Sequence, residues 1–423
     1  MRIEPGGPVD AVIQAPPSKS LTIRALAAAA LADGRSALRG PLRADDTRVM
    51  AEALRTLGIP VSLRGASFIV EGQAGRIPAA GAMLDLGHAG TPLRLLTVLC
   101  CLGRGRFVLD GSPRMRERPV QDLLSALSAL GVTILSQRGN GCPPVELVAS
   151  GFPGGRVSVR GAASSQYVSA LLMAAPCGQR DLELSLDGPL VSRPYVDLTL
   201  SVMEAFGVSV RREEHRWFQV PAGQTYSPRV YPVEGDASSA AYFWAAAAIT
   251  RGLVRVTGIP EGSSQADLMV LGLLERMGCR VAATEDGIEV MGGPLRGIEA
   301  DLGDAPDLGP TLAMVAMFAE GATTLRGVSH LRLKESDRLE ATAACVRALG
   351  AGADVGTGTL TVTPPSSGQS GLRGATIDPH DDHRLAMAFS VAGLAIPGVT
   401  ILNPGCVSKS CPDFFERLAV LRS

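Results

Sequence analysis

The stretch Ala53–Val61, ALRTLGIPV, decides the fold. It reads as the end of an amphipathic helix, a glycine suited to a left-handed C-cap, and the start of a β-branched strand. The same step returns as ALSALGVTI at Gly131, VMEAFGVSV at Gly207, LLERMGCRV at Gly278 and CVRALG at Gly350, at intervals of 71–76 residues. A truncated sixth copy, CPDFFERLAVL, closes the sequence. A second signature alternates with the first: a small or acidic cap followed by an Ala-rich, almost wholly apolar helix. Its copies are SKSLTIRALAAAALADG, AGTPLRLLTVLCCLG, SSQYVSALLMAAPCG, DASSAAYFWAAAAIT, DLGPTLAMVAMFAEG and DDHRLAMAFSVAGLA, with starts at Ser18, Gly90, Ser164, Asp236, Asp307 and Asp381. Six copies of one unit of roughly 72 residues account for nearly the whole chain.

Each unit combines strands such as RVSVRG and LVRVTGI with one apolar and one amphipathic helix, so the fold class is mixed α/β (α+β). A helix apolar on every face must be buried. The period would also suit a solenoid, but here the caps vary and carry charge while the helix bodies stay uniform. Function is therefore expected at the helix starts, where unpaired N–H groups and a partial positive charge make anion sites. Parallel buried helices would bring three such starts to one surface, and two three-unit domains face to face would form a positive interdomain cleft. Hinges are expected near Pro16–Pro17 and Gly235. They divide the chain into a discontinuous domain, 1–17 plus 235–423 (units 4–6), and an inserted domain, 18–234 (units 1–3).

Composition removes several classes. Among 423 residues, Lys+Arg 40 against Asp+Glu 41 gives a net charge of -1, without the basic field that drives non-specific nucleic-acid or membrane binding. The longest apolar stretch, near Ala240–Ile249, is about half the roughly 20 residues of a membrane helix. The start MRIEPGGPVD lacks a signal-peptide pattern, which predicts a cytoplasmic protein. Eight cysteines without a CxxC predict reduced, buried thiols and no structural zinc. No GxxxxGK[ST] or GxGxxG-helix fingerprint occurs, which argues against nucleotide cofactors.

The basic residues are unevenly divided: only Lys19, Lys334 and Lys409 are lysine. A chain that uses arginine for nearly every cation is expected to keep lysine where a compact or titratable charge is needed. In SKSLTIR, Lys19 and Ser20 open a helix and Arg24 lies one turn beyond Ser20. In LRLKESDR, Lys334 and Arg338 take the same spacing, with Glu335 among the cations; alone, such a string is an ordinary solvated helix start. DDHRLAMAFS puts Asp381, Asp382, His383 and Arg384 before a helix too apolar for the surface, so these charges need partners. His380 and His383 find no third ligand set, and a metal is not expected. SPRMRERPVQD carries Arg114, Arg116 and Arg118, suited to carboxylate or phosphate or simply to a charged surface loop. Ser164, Ser165, Gln166, Ser192 and Tyr195 alone read as caps and turns, and Asp307 as an N-cap.

Together, PPSKSLTIRAL, LGHAGTPLRLL, SPRMRERPVQDLL, SSQYVSALL, VEGDASSAAYF, LRLKESDRLEA, DDHRLAMAFS and CVSKSCPDFFE resemble the 5-enolpyruvylshikimate-3-phosphate synthase family, in its order, from about Pro16 to the C-terminus. The resemblance implies the enolpyruvyl transferase fold: two domains, each of three βαβαββ-type units, closing over the substrates. It implies transfer of the enolpyruvyl (1-carboxyvinyl) group of phosphoenolpyruvate to the 5-hydroxyl of shikimate 3-phosphate, with release of phosphate, through a tetrahedral intermediate. No cofactor or metal is implied, and family members are mostly monomers.

By resemblance, Lys19, Ser20, Arg24, Ser164, Ser165, Gln166, Ser192, Tyr195, Asp307, His330 and Lys334 would hold shikimate 3-phosphate. Lys19, His88, Gly90, Arg118, Gln166, Arg338, Arg384 and Lys409 would hold phosphoenolpyruvate. Asp307 would be the base for the 5-hydroxyl and Glu335 the acid/base at the methylene carbon, with Lys409 assisting and Lys19 also in the catalytic set. All three lysines fall on family positions. The chain departs from the family's usual Asn at His88, which is expected to donate a hydrogen bond to phosphoenolpyruvate, and places Pro92 after the threonine. A sister enolpyruvyl transferase acting on UDP-N-acetylglucosamine typically carries a Cys in the loop matching Gly111–Arg118, and this loop has none. A non-catalytic binding protein would be expected to lose its acid/base groups first, yet Asp307 and Glu335 are present.

Overall fold

In the computed structural model, which describes residues 1–162 and 164–422, the repeat takes physical form as six sheets. Five have four strands and the sixth has two. A complete unit runs strand, buried helix, strand, amphipathic helix, then a hairpin. The second unit shows it: Gly81–Asp85 pairs in parallel with Arg104–Asp110, which pairs antiparallel with Val145–Ser150, itself hairpinned to Thr133–Ser136. The sixth unit stops after its parallel pair, Thr376–Ile377 with Thr400–Ile401.

The chain divides into two compact units, Pro17–Val233 (the continuous unit) and Met1–Pro16 with Glu234–Ser423 (the split unit). The strand Asp10–Gln14 supplies the outer parallel strand of the split unit's first sheet by pairing with Leu253–Thr257. In the continuous unit Val230–Pro232 plays that part against the strand Arg35–Arg39. Each unit has its own apolar core.

The helices Lys19–Leu31, Gly90–Cys100 and Ser165–Ala174 lie inside the continuous unit, and Ala237–Thr250, Gly309–Ala316 and His383–Ala392 inside the split unit. Their near-total apolarity follows from burial on every face: Ala27 to Leu31 and Ala240 to Ala247 are all at most 1% exposed. The helices Asp45–Thr56, Gln121–Ala129 and Met269–Met277 keep one face in solvent, as their polar stripes require. Among the described residues, no helix is long and apolar enough to cross a membrane.

The repeated glycine closes each amphipathic helix in the left-handed region, with φ of 85° at Gly58, 94° at Gly131, 84° at Gly207, 114° at Gly278 and 97° at Gly350. Paired reverse bonds finish the turn, such as Gly131 N to Ser128 O and Val132 N to Leu127 O. A Cβ at Gly131 would meet nothing, whereas one at Gly278 would lie 2.4 Å from Pro294 O. Gly131→Ala is therefore expected to lose only the backbone preference, about 1 kcal/mol, and Gly278→Ala distinctly more. Equal losses in denaturant unfolding would show that the contact at Pro294 is not felt.

Candidate active-site residues in the two units

In the split unit, one buried guanidinium gathers the chemistry. Arg338, 1% exposed, donates Nη1 to Asp307 Oδ1 at 2.9 Å and Nη2 to Glu335 Oε2 at 2.6 Å. Its Nε and Nη2 also donate to the two oxygens of Asp382 at 2.8 and 3.1 Å. Asp382, fully buried, caps the His383–Ala392 helix through Arg384 N at 3.0 Å and accepts from Ser336 Oγ at 3.1 Å. Arg384 Nη2 lies 2.7 Å from Asp307 Oδ2, and Lys334 Nζ 3.5 Å from Asp307 Oδ1. Lys409, on the short turn Pro404–Lys409, lies 3.8 Å from Glu335.

Three expectations need correcting here. Asp307 is not an N-cap: it sits in a 3-10 turn, Pro306–Leu308, and its carboxylate goes to three cations. Lys334 and Arg338 do not share a helix face, because a 3-10 turn ends at Leu333 and the helix begins only at Arg338; they meet through Asp307 instead. The aspartate that enters the sixth buried helix is Asp382, while Asp381 bonds Asn403.

Electrostatics follow from this packing. Burial pushes the Asp307 carboxyl up, but Arg384, Lys334 and Arg338 outweigh it and hold the group well below its ordinary value. His330 is pushed down to about 4, first by burial and then by Lys334, and its buried Nε2 has no hydrogen-bond partner among the described residues. Asp267, which accepts from Ser238 Oγ at 2.5 Å beside the start of the Ala237–Thr250 helix, is pushed up to about 6 by burial. Among the described residues, no group of three or more His, Cys, Asp or Glu could hold a metal.

In the continuous unit, the buried cations have few anionic partners. Arg24, 2% exposed, donates to Thr199 Oγ1 at 2.8 Å and to the carbonyls of Ser20 and Tyr195, each at 3.1 Å. With only neutral oxygens around it, burial lowers its pKa to about 10. Arg118, 6% exposed, leaves Nε buried without a hydrogen-bond partner among the described residues. Its guanidinium faces the start of the Gly90–Cys100 helix, which has no side-chain cap: a Cβ on Gly90 would lie 2.7 Å from Arg118 Nη1 and 2.8 Å from Arg94 Nη1. Glycine is the residue that lets two guanidinium groups approach this backbone. A buried cation beside an uncapped helix start favours negative charge there. The three arginines of the 111–118 loop thus divide: Arg114 pairs with Glu117 and Arg116 with Asp110, and Arg118 alone turns inward.

Other sequence-selected residues of this unit sit at or near helix starts. Gln166 Nε2 donates to Thr91 Oγ1 at 3.1 Å, tying two buried helix starts together, and Ser164 Oγ caps the helix bearing Ser165 through Gln166 N. Ser192 is held at φ 53° before the helix that carries Tyr195. Lys19 pairs with Asp46 at 3.1 Å. Asp46 and Arg94 were not singled out by sequence; Asp46 stood inside an ordinary amphipathic helix start, and Arg94 inside a quoted motif without a role.

Comparison with known proteins identifies the family. The model of the EPSP synthase (3-phosphoshikimate 1-carboxyvinyltransferase) family matches residues 3–418. The chain belongs to the EPSP synthase family. A 3-phosphoshikimate 1-carboxyvinyltransferase of Methanoculleus marisnigri is 47% identical over 420 residues, covering 99% of this chain and 98% of that protein. One of Escherichia coli is 44% identical over 423 residues, with the same coverage. Among solved structures, the EPSP synthase of Acinetobacter baumannii superposes with a TM-score of 0.82 at 25% identity, over 99% of this chain and 97% of that one. The enolpyruvyl transferase NikO of Streptomyces tendae shares the fold, with a TM-score of 0.78 at 22% identity over 99% and 96%. The activity is 3-phosphoshikimate 1-carboxyvinyl transfer, a step of the shikimate pathway.

The depressed His330 sets a stability slope. An unfolded histidine titrates near 6.5, so between about 4 and 6.5 the unfolded chain binds the extra proton. Stability from this residue therefore rises with pH across that window and is lost on acidification. Asp267 acts oppositely, its share falling as pH rises from the ordinary carboxylate value to about 6. The difference between wild type and His330→Gln isolates the histidine: the variant's unfolding free energy should fall less between pH 6.5 and 4. Parallel curves would rule out the buried neutral ring.

Proposed function

We propose that the two anionic substrates, phosphoenolpyruvate and shikimate 3-phosphate, are held by the residues that the family resemblance selects and that this structure leaves rich in cations. Shikimate 3-phosphate is assigned to Lys19, Ser20, Arg24, Ser164, Ser165, Gln166, Ser192, Tyr195, Asp307, His330 and Lys334. Phosphoenolpyruvate is assigned to Lys19, His88, Gly90, Arg118, Gln166, Arg338, Arg384 and Lys409. The observation that carries the reading is the double grip of Arg338 on Asp307 and Glu335, which fixes two carboxylates on one rigid plane.

The reaction needs two proton-transfer groups. Asp307 takes the proton of the attacking 5-hydroxyl as oxygen adds to the phosphoenolpyruvate carbon that bears the phosphate. Glu335, with Lys409 beside it, protonates the methylene carbon to a methyl group. The same pair then removes a methyl proton as phosphate leaves. Asp307 is ionised but a weak base while three cations hold it. A substrate phosphate or carboxylate that draws Arg384 or Lys334 to itself loosens that hold, so Asp307 gains basicity as the substrates bind. Lys19 and the helix starts stabilise charge on the departing phosphate. The chain works in the cytoplasm as a monomer, without metal or organic cofactor.

Asp307→Asn and Glu335→Gln separate the two roles. Each should lower kcat by roughly 10²–10⁴-fold, and Glu335→Gln should also abolish solvent-deuterium incorporation into the vinyl group. Deuterium exchange that persists at the wild-type rate in Glu335→Gln would assign the methylene proton to another residue. Chelator treatment should leave the wild-type rate unchanged.

A further inference from the structure

The parallel strands Gly81–Asp85 and Arg104–Asp110 end side by side, so the segments that follow them, Leu86–Ala89 and Gly111–Arg118, are neighbours. Two adjacent residues of the second segment fasten it to the first. Gly111 packs so closely that a Cβ there would lie 2.4 Å from Gly87 O. Ser112 then makes a bond from each end of the residue: its N–H donates to Gly87 O at 3.0 Å, and its Oγ lies 3.1 Å from His88 Nδ1. Ser112 also starts the turn that ends at Arg118, accepting from Met115 N at Oγ (3.2 Å) and from Arg116 N at its carbonyl (3.1 Å).

Ser112 Oγ accepts from Met115 N, so its own proton can go to His88 Nδ1; in that arrangement the ring's Nε2 carries a proton that points away from Ser112. We propose that Ser112 is a positioning residue for phosphoenolpyruvate binding: it seats the Arg118 turn on the Gly87–Ala89 loop and holds His88 as an Nε2–H donor. This rests on the assignment of Gly90, Arg118 and His88 to phosphoenolpyruvate. His88 itself is exposed. Asparagine at this position would offer Oδ1 to the same hydroxyl and an amide N–H outward, so one geometry serves both residues.

The test uses steady-state kinetics of the full chain. Losing one hydrogen bond that orients a ligand donor should cost roughly five- to tenfold in affinity. Ser112→Ala is therefore expected to raise KM for phosphoenolpyruvate by about that factor, with kcat and KM for shikimate 3-phosphate within twofold of wild type. His88→Ala should do the same, the double variant no more than either, and Ser112→Thr and His88→Asn should restore the wild-type KM. An unchanged phosphoenolpyruvate KM in Ser112→Ala, or single effects that multiply in the double variant, would overturn the proposal. A wild type that fails to turn over shikimate 3-phosphate would instead remove the substrate assignment. Calorimetric titration of phosphoenolpyruvate into wild type and Ser112→Ala reads the same affinity ratio without turnover.

Discussion

Arg338 is the interaction on which the split unit's chemistry depends. A guanidinium 1% exposed must be neutralised, and three carboxylates from three chain segments do so: Glu335 just before its own helix, Asp307 from the 3-10 turn, and Asp382 from the cap of the sixth buried helix. Breaking such a buried set by removing one partner typically costs about 3–5 kcal/mol, because it strands a charge in a dry site. The geometry of Asp307 and Glu335 is thus fixed by the stability of the fold itself. The same neighbours set the basicity of Asp307, so its position and its basicity are decided together.

The continuous unit solves the complementary problem. Arg24 is buried among neutral oxygens, and Arg118 lies against an uncapped helix start. Burying a cation among neutral groups is costly, and a nearby anion offsets that cost. The apolar helices make this possible: with bodies buried on every face, they offer only their first turns for polar business. A charged, varied helix start on a uniform helix body is the mark that this division of labour leaves in the sequence.

That mark is why so much was legible. The period of the Leu-Gly-hydrophobic step follows from one glycine in the left-handed region per unit, and all five proved to be there. The three lysines stood out because arginine takes nearly every other cationic position, and each lies within 4.0 Å of a carboxylate: Lys19 with Asp46, Lys334 with Asp307, Lys409 with Glu335. Illegible were the pairings that join distant segments. Asp46 looked like any acidic first-turn residue, Ser112 like a loop serine, and Asp307 like a cap, since a cap and an ion-pair partner use the same residue type. The misplacement of Lys334 arose because a helical spacing was assumed where the chain takes a 3-10 turn and restarts at Arg338.

The most direct measurement is phosphate release from phosphoenolpyruvate by the purified chain, with shikimate 3-phosphate or UDP-N-acetylglucosamine as acceptor in metal-free buffer. Release with shikimate 3-phosphate alone is what the cation-ringed Asp307 and Glu335, and the family to which the chain belongs, require. Release with the sugar nucleotide alone, or with neither, would contradict the account.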